Sequence, residues 1–318
     1  MKRVRGYWEL LVAALLVPVA FALPHVVSEF RLFQLATVGV YFVAIVGLAI
    51  LTGWSGQISL GHGAFMAIGA YTSAILVFHH GWTDWYTIPV AGAVAGVAGL
   101  LMGVPALRLS GLYLALATFA LAVSVPSLIK KWESQTGGSS GLFLTLHSNP
   151  WLYRTAWITA AVMFVGAWLL LRGKFGRALR AVRDSEVAAA SSGINLAFVK
   201  TVAFGISAFY AGVAGALLAI TTAYVNPNSF PVNLSIFLLV GLVVGSLGGL
   251  LPLLVGAAFV EYVQVYASKL APDKPGVPTV VFGTALILAV FAVAAVRPLA
   301  NRWQTVRKQR GPAAVEET

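Results

Sequence analysis

Long apolar runs follow one another along almost the whole chain, and they limit its possible folds more than any other feature. We identify about ten, most of them close to the roughly 20 residues that a helix needs to cross a bilayer. They cover residues 7–27, 33–52, 60–79, 87–104, 112–129, 151–171, 199–222, 234–248, 251–268 and 279–296. Only 10% of the 318 residues are charged, against roughly 25% in soluble domains. The sequence therefore predicts an all-α, polytopic membrane helix bundle that forms a single domain over residues 1–318.

Some of these runs are expected to be half-helices. The eighth, residues 234–248, is short for a complete crossing, and Pro18, Pro126 and Pro252 interrupt other runs. Neighbouring helices can satisfy the carbonyls that a proline frees. The basic residues before the first run are also typical of a cleaved signal peptide, but apolar runs continue down the chain, so we favour an uncleaved first span.

Basic residues are distributed unevenly between the two sides of the predicted bundle. If all ten runs cross, fifteen of the 21 Lys and Arg residues lie on the side of both termini. Because basic loops stay on the inner side, we predict a multi-pass membrane protein with cytoplasmic termini and a basic tail at 297–318. No Lys or Arg lies between Arg31 and Arg108, so three crossings, or one crossing with two half-helices, fit equally well there.

The longest charged stretch, residues 174–200, lies between two apolar runs. Its charged residues include Arg177, Arg180, Arg183, Asp184 and Glu186. Apolar residues three and four apart give it one apolar face, as in a helix, and Gly193 is placed where it would end that helix. Such a helix, held at both ends by membrane spans, could be gripped by another protein. The alternative is an ordinary basic loop that only sets the topology.

A second polar stretch, residues 53–65, has four glycines among its 13 residues, which break a helix. Gln57, Ser59 and His62 lie here within a long apolar region. Non-helical backbone at membrane depth survives only against protein or a water-filled cavity. N–H groups at the start of a half-helix would suit a carboxylate. The alternative is a plain interfacial turn, and a single histidine is more often a packing residue than a ligand.

Glycines four residues apart recur in the fourth run, at 92/96 and 99/103, and Gly241 and Gly245 repeat this spacing in the eighth. Small residues at this interval let two membrane helices approach closely. We interpret both sets as packing positions and not as a site.

Motifs of catalysis are missing from the sequence. It has no phosphate-binding Gly-x-x-x-x-Gly-Lys-[Ser/Thr], no His-Glu-x-x-His, no clustered aspartates and no cysteine. We therefore expect a transport or scaffold role, no enzyme activity, no cofactor and no metal site. Glu261 is the one acid well inside a run; intramembrane acids are typical of transport pathways, and we expect this one near the outer end of its helix.

Four stretches of the sequence together resemble a known family. They are residues 53–71, which contain Gly-Gln-Ile-Ser-Leu-Gly-His-Gly, residues 108–122, residues 136–142 and residues 176–193. The combination resembles the permease subunits of branched-chain amino acid ABC importers, the Liv family, and its LivM-like member in particular. One departure is that Gly193 follows Glu186 by seven residues, where the broader importer pattern has six.

The resemblance implies an ATP-driven importer of leucine, isoleucine or valine that works by alternating access. It implies as partners a second, LivH-like permease, two cytoplasmic ATPases and an extracytoplasmic solute-binding protein, all at a bacterial or archaeal membrane. Residues 172–198 would be the cytoplasmic coupling loop. Its ATPase-coupling residues would be Arg177, Arg180, Asp184, Glu186, Ala188, Ala189 and Gly193. The substrate path would include Gly56, Gln57, Ser59, Gly61 and His62.

Two other functions remain open at this point. One is a proton-coupled secondary carrier of small amino acids or amides, with Glu261 and His62 as proton relays. The other is a membrane scaffold that transports nothing and uses residues 174–200 as a docking site.

Overall fold

The computed structural model describes residues 27–107, 109, 111–245 and 249–270, together with the single positions 280, 283, 284, 287, 288 and 291. The first predicted run, Arg108 and the basic tail at 297–318 therefore lie outside the described residues, apart from residue 27. Only the six single positions fall in the last predicted run.

Helices account for nearly all of the described residues. The α-helices are α1 Glu29–Leu48, α2 His62–His80, α3 Asp84–Ala106, α4 Leu112–Lys131, α5 Glu133–Thr136, α6 Asn149–Arg172, α7 Lys174–Asp184, α8 Glu186–Ser191, α9 Leu196–Thr222, α10 Val232–Gly245 and α11 Leu253–Leu270. A π-helical turn, Ala49–Trp54, extends α1, and a 3-10 turn, Pro227–Ser229, precedes α10. Two strands of two residues each, β1 Leu142–Phe143 and β2 Tyr224–Val225, complete the fold.

Seven stretches in the described part are long and apolar enough to cross a membrane. Six are α1 with its π turn, α2, α3, α4, α6 and α9, and the seventh joins the 3-10 turn to α10 over 19 residues. The predicted all-α polytopic bundle is confirmed, but a count of ten crossings is not. The eighth run has an α-helix of only 14 residues, and it reaches crossing length only with the turn that precedes it.

Glycines hold α9 against α2 and α3 at very short range. Along α3 the four predicted packing glycines, Gly92, Gly96, Gly99 and Gly103, meet residues of α9 in descending order, from Val213 to Thr201. The two helices are therefore antiparallel, and the prediction that these glycines are packing positions is confirmed. Gly69 of α2 lies directly against Gly212 of α9, which also touches Gly92 of α3. Only a residue without a side chain permits such backbone contact.

The connections at the far end of α9 are tied to those before α6 by the two short strands. β1 pairs antiparallel with β2, with Leu142 opposite Val225 and Phe143 opposite Tyr224. Four residues after β1, His147 pairs with the buried carboxylate of Asp84 at the start of α3, at 2.5 Å. The His147 ring stacks on Trp151 at 3.9 Å. The segment between α4 and α6 is thus held at several points.

The contacts divide the chain into two units, residues 1–261 and 262–318. Every site described below lies in the first unit. In the second, the rings of Tyr262 and Tyr266 lie 6.3 Å apart along α11. Glu261, the last residue of the first unit, is buried and lies midway along α11. The expectation that Glu261 lies near the outer end of its helix was therefore wrong.

Candidate functional site

The charged stretch forms two short helices, α7 and α8, between the end of α6 and the start of α9. The sequence predicted a single helix in this stretch, ended by Gly193, but the structure has a break at Ser185, whose backbone is extended. The break arises because the Ser185 hydroxyl accepts a hydrogen bond from the N–H of Ala188 at 3.3 Å and so caps α8. At the other end, Gly193 takes a positive φ of 79° and ends α8 as predicted.

One face of these two helices is buried and the other is open to solvent. Leu179 and Val182 point inward from α7, as their spacing predicted. The predicted coupling residues on the exposed face are Arg177, Arg180, Asp184, Glu186, Ala188 and Gly193. Ala189, the remaining one, is only 2% exposed and packs inward. The exposed face also carries Val187 at 78% exposure, an apolar side chain that sequence reasoning did not select and that a docking partner could cover.

Two ion pairs involve the acids of this stretch. Glu186 of α8 pairs with Lys200 of α9 at 2.6 Å. Asp184 accepts hydrogen bonds from its neighbour Arg183, at 3.2 Å from Nε and 3.1 Å from Nη2. The Arg180 Nε instead donates to the carbonyl of Gly176. Glu186 is thus a fixed link between α8 and α9, while Asp184 orients an arginine.

The second polar stretch is a non-helical segment between the π turn and α2, and we call residues 55–61 the helix break. Its first half is tight, because Gly56 has a φ of +77° and the Gln57 N–H donates to the carbonyl of Leu51 at 3.2 Å. The Gln57 side chain is buried and donates to the hydroxyl of Ser55 at 2.6 Å. It also approaches the carbonyl of Lys200 in α9, at 3.4 Å.

The second half of the helix break is held by hydroxyl groups. The N–H of Leu60 donates to Thr118 of α4 at 2.9 Å, and the N–H of Gly61 donates to the buried Ser59 hydroxyl at 3.3 Å. The N–H of Gly63, in the first turn of α2, donates to Ser235 of α10 at 2.9 Å. The N–H groups that we expected to be available to a carboxylate are therefore bonded to three hydroxyls in this conformation.

His62, the first residue of α2, is completely enclosed by protein. Its Nε2 lies 2.9 Å from the carbonyl oxygen of Ala44 in α1, and because a carbonyl only accepts, Nε2 carries the proton. This bonding is that of a packing histidine, the role that is most common for such a residue.

The helix break runs from one end of the bundle toward its middle. At one end, Gly53 accepts a hydrogen bond from Arg183 of α7. At the other end, His62 is bonded to Ala44. Ala44 lies nine residues before Gly53, a separation on the order of 10 Å along the axis of α1. One turn from Ala44, Gly47 packs on Ser207 and Tyr210, at the centre of α9. The break is therefore neither a purely interfacial turn nor a segment confined to the middle of the bundle.

The structure brings the two polar stretches together, which the sequence did not predict. Arg183 and Lys200 make the contacts, and Thr118 and Ser235 extend them to α4 and α10. Sequence reasoning did not select Thr118 and Ser235 as site residues. The one weak indication is that each is a polar residue within an apolar run. Within the described residues, no group of three or more His, Cys, Asp or Glu side chains could hold a metal ion.

Comparisons with known proteins agree with the motifs. A family model described as "Branched-chain amino acid transport system / permease component" matches residues 30–291. The chain is 34% identical over 272 residues to the high-affinity branched-chain amino acid transport system permease protein LivM of Escherichia coli strain K12. That match covers 76% of this chain and 64% of the relative, and LivM of Salmonella typhimurium matches to the same extent. The chain thus spans less than two thirds of the length of these relatives.

Among solved structures, PsaBC from Streptococcus pneumoniae in complex with Fab is similar at 14% sequence identity. The match covers 88% of this chain and 94% of that chain, with a TM-score of 0.46. A score below 0.5 does not establish a shared fold.

Proposed function

The chain belongs to the family of branched-chain amino acid transport system permease components, and from this premise we propose that it is a transmembrane subunit of an ATP-driven importer of branched-chain amino acids. The observation that carries the proposal is the pair of short helices α7 and α8. Their charged face is open, and on that face the ion pair of Glu186 with Lys200 links α8 to α9. A separate motor protein could grip such an element and move the helices behind it.

The partners follow from the family. They are a second, LivH-like permease, two ATPase subunits on the α7–α8 side and a solute-binding protein on the side of β1 and β2. This subunit would be a transport component without its own ATPase motif, since the sequence lacks a phosphate-binding loop. In this arrangement residues 172–198 are the cytoplasmic coupling loop within a single permease domain, and residues 297–318 a cytoplasmic tail. Ten crossings of a bacterial or archaeal inner membrane would place both termini inside.

The proposed substrate path follows the helix break. Gln57, Ser59, Gly61 and His62 are buried and Gly56 is exposed, so the path is closed in this conformation. Alternating access would open it when ATP binding moves the α7–α8 side, because a ligand shifts the equilibrium toward the state that it binds better. The N–H groups around the start of α2 would then exchange their hydroxyl acceptors for the carboxylate of a passing amino acid.

The test is uptake of radiolabelled leucine by proteoliposomes that contain this chain with the second permease, both ATPases and the binding protein. We expect uptake only with ATP. Glu186→Lys breaks the link to Lys200, and Gly193→Pro cannot adopt a φ of +79°. Both should lose uptake while ATP hydrolysis continues. Glu186→Gln and Gly193→Asn are the matched controls, because they keep the shape and the left-handed backbone respectively.

A proton-coupled carrier is the second candidate, and the buried position of Glu261 midway along α11 is the observation that favours it. Leucine uptake by this chain alone, driven by a pH gradient and lost in Glu261→Gln, would replace the ATP-driven proposal. Uptake at the wild-type rate by both coupling variants would remove the role of α7 and α8.

A further inference from the structure

Arg183 connects the short helix α7 to the end of the π turn that extends α1. Its Nη1 donates to the carbonyl oxygen of Gly53 at 2.9 Å. The aliphatic part of the side chain lies against Gly56, where an added Cβ would come within 3.0 Å of the arginine Cγ. Gly56 has a positive φ, so both the space and the backbone conformation at this contact suit glycine.

The contact is directional as well as electrostatic. The last carbonyls of a helix have no partner inside the helix, and Gly53 is the penultimate residue of the π turn. A guanidinium is a rigid fork of donors, and here Nε and Nη2 are occupied by Asp184 while Nη1 points at Gly53. The positive charge also lies at the negative end of the α1 dipole. A lysine could supply the charge but not this fixed orientation.

A second residue, Lys200, joins the helix break to the neighbouring short helix α8. Lys200 of α9 receives the Gln57 side chain on its carbonyl and holds Glu186 of α8 with its ammonium group. The helix break is therefore joined to α7 through Arg183 and to α8 through Lys200. Further along the chain, separate hydrogen bonds attach Leu60 to Thr118 and His62 to Ala44 near the centre of the bundle.

We propose that Arg183 is a positioning residue that transmits movement of α7 to the helix break between α1 and α2. The proposal rests on the proposed function, since it takes α7 and α8 as the element that an ATPase moves. Energetic coupling between separated sites is carried by packed side chains and hydrogen bonds that have two arrangements. Arg183 joins the exposed helix to the one non-helical segment that the described part of the chain places between α1 and α2.

The experiment measures leucine transported per ATP hydrolysed in proteoliposomes that contain the complete transporter. Arg183→Ala should lower this ratio by about 2- to 30-fold, the range typical of residues on a coupling route. Assembly with the ATPases and the rate of ATP hydrolysis should stay near wild type. Arg183→Lys should give an intermediate ratio. Arg154→Ala, which removes an exposed arginine near the start of α6, is the matched control and should leave the ratio unchanged.

A chemical link provides an independent test, because the natural sequence has no cysteine. In a variant that combines Gly53→Cys with Arg183→Cys, a short bifunctional thiol reagent should restore the ratio toward wild type. The reagent should do nothing to Arg183→Cys alone. Recovery in the pair would show that the connection itself matters, and not the arginine side chain.

Three results would overturn the proposal: a wild-type ratio in Arg183→Ala, no recovery on linking the cysteine pair, or failure of Arg183→Ala to fold. The third result would count against the proposal because the Arg183 side chain is 44% exposed and is not expected to be needed for folding. If it were needed, its role would be structural and not the transmission of movement. A wild-type complex that takes up no leucine with ATP would instead contradict the proposed function.

Discussion

Replacing Gly69 by alanine should lower the free energy of unfolding, because the added methyl group would collide with the backbone of α9. A Cβ at this position would point into the backbone of Gly212 in α9, with the carbonyl carbon only 2.6 Å away. Because the obstacle is backbone and not the end of a flexible side chain, α2 and α9 have to separate. Overpacking of this kind costs about 1–3 kcal/mol, offset by up to about 1 kcal/mol for removing a glycine from a helix.

The net loss is therefore up to about 2 kcal/mol, which corresponds to a fall in Tm of up to about 6 °C for a chain of this size. Thermal unfolding of the purified protein in detergent, followed by tryptophan fluorescence, measures it. Gly39→Ala is the matched control, since Gly39 also lies in a membrane helix but has 3.5 Å of room to the Cβ of Ala156. That variant should melt at or slightly above the wild-type temperature. A Gly69→Ala protein as stable as Gly39→Ala would refute the packing argument.

Three further outcomes are expected. Val187→Cys, at an exposed position of α8, should react with a membrane-impermeant thiol reagent only from the cytoplasmic side of sealed vesicles; reaction from outside would reverse the orientation. Thr118→Val should lower the free energy of unfolding by about 1–3 kcal/mol, because the partly buried N–H of Leu60 loses its acceptor; Thr118→Ser, which retains a hydroxyl, should lose much less, and equal losses would contradict this. In the helix break, Ile58→Cys should label readily and Ser59→Cys should resist, since the wild-type side chains are exposed and buried respectively; equal labelling would mean that the break is open.

The sequence was a good guide to the helices of the bundle. The predicted run 112–129 corresponds to α4 at Leu112–Lys131, and 199–222 to α9 at Leu196–Thr222. The length of the apolar run is enough to predict these helices, because a segment that crosses the bilayer must form its backbone hydrogen bonds internally. The break at Ser185 was missed because the apolar residues keep helical periodicity on both sides of it. The Ser185 side chain accepts a hydrogen bond from the backbone of α8, and this bond competes with a continuous helix.

The candidate site was only half visible in the sequence. Both polar stretches stand out by composition, but their contact joins residues 130 positions apart, from Arg183 to Gly53. The acceptor there is a backbone carbonyl, so no complementary side chain marks the partner. The same holds for His62 and the carbonyl of Ala44. Charge and glycine content indicate where a functional segment lies, whereas its neighbours depend on how the helices pack.

The glycine contacts among α2, α3 and α9 restrict how this protein can change shape. Gly212 packs against both Gly69 and Gly92, so the backbones of the three helices are in direct contact. A displacement there cannot be accommodated by a change of side-chain rotamer. We expect these three helices to travel as one block. A hinge is therefore expected outside this block. The helix break before α2 is a candidate, because its backbone torsions can change while the three packed helices keep their arrangement.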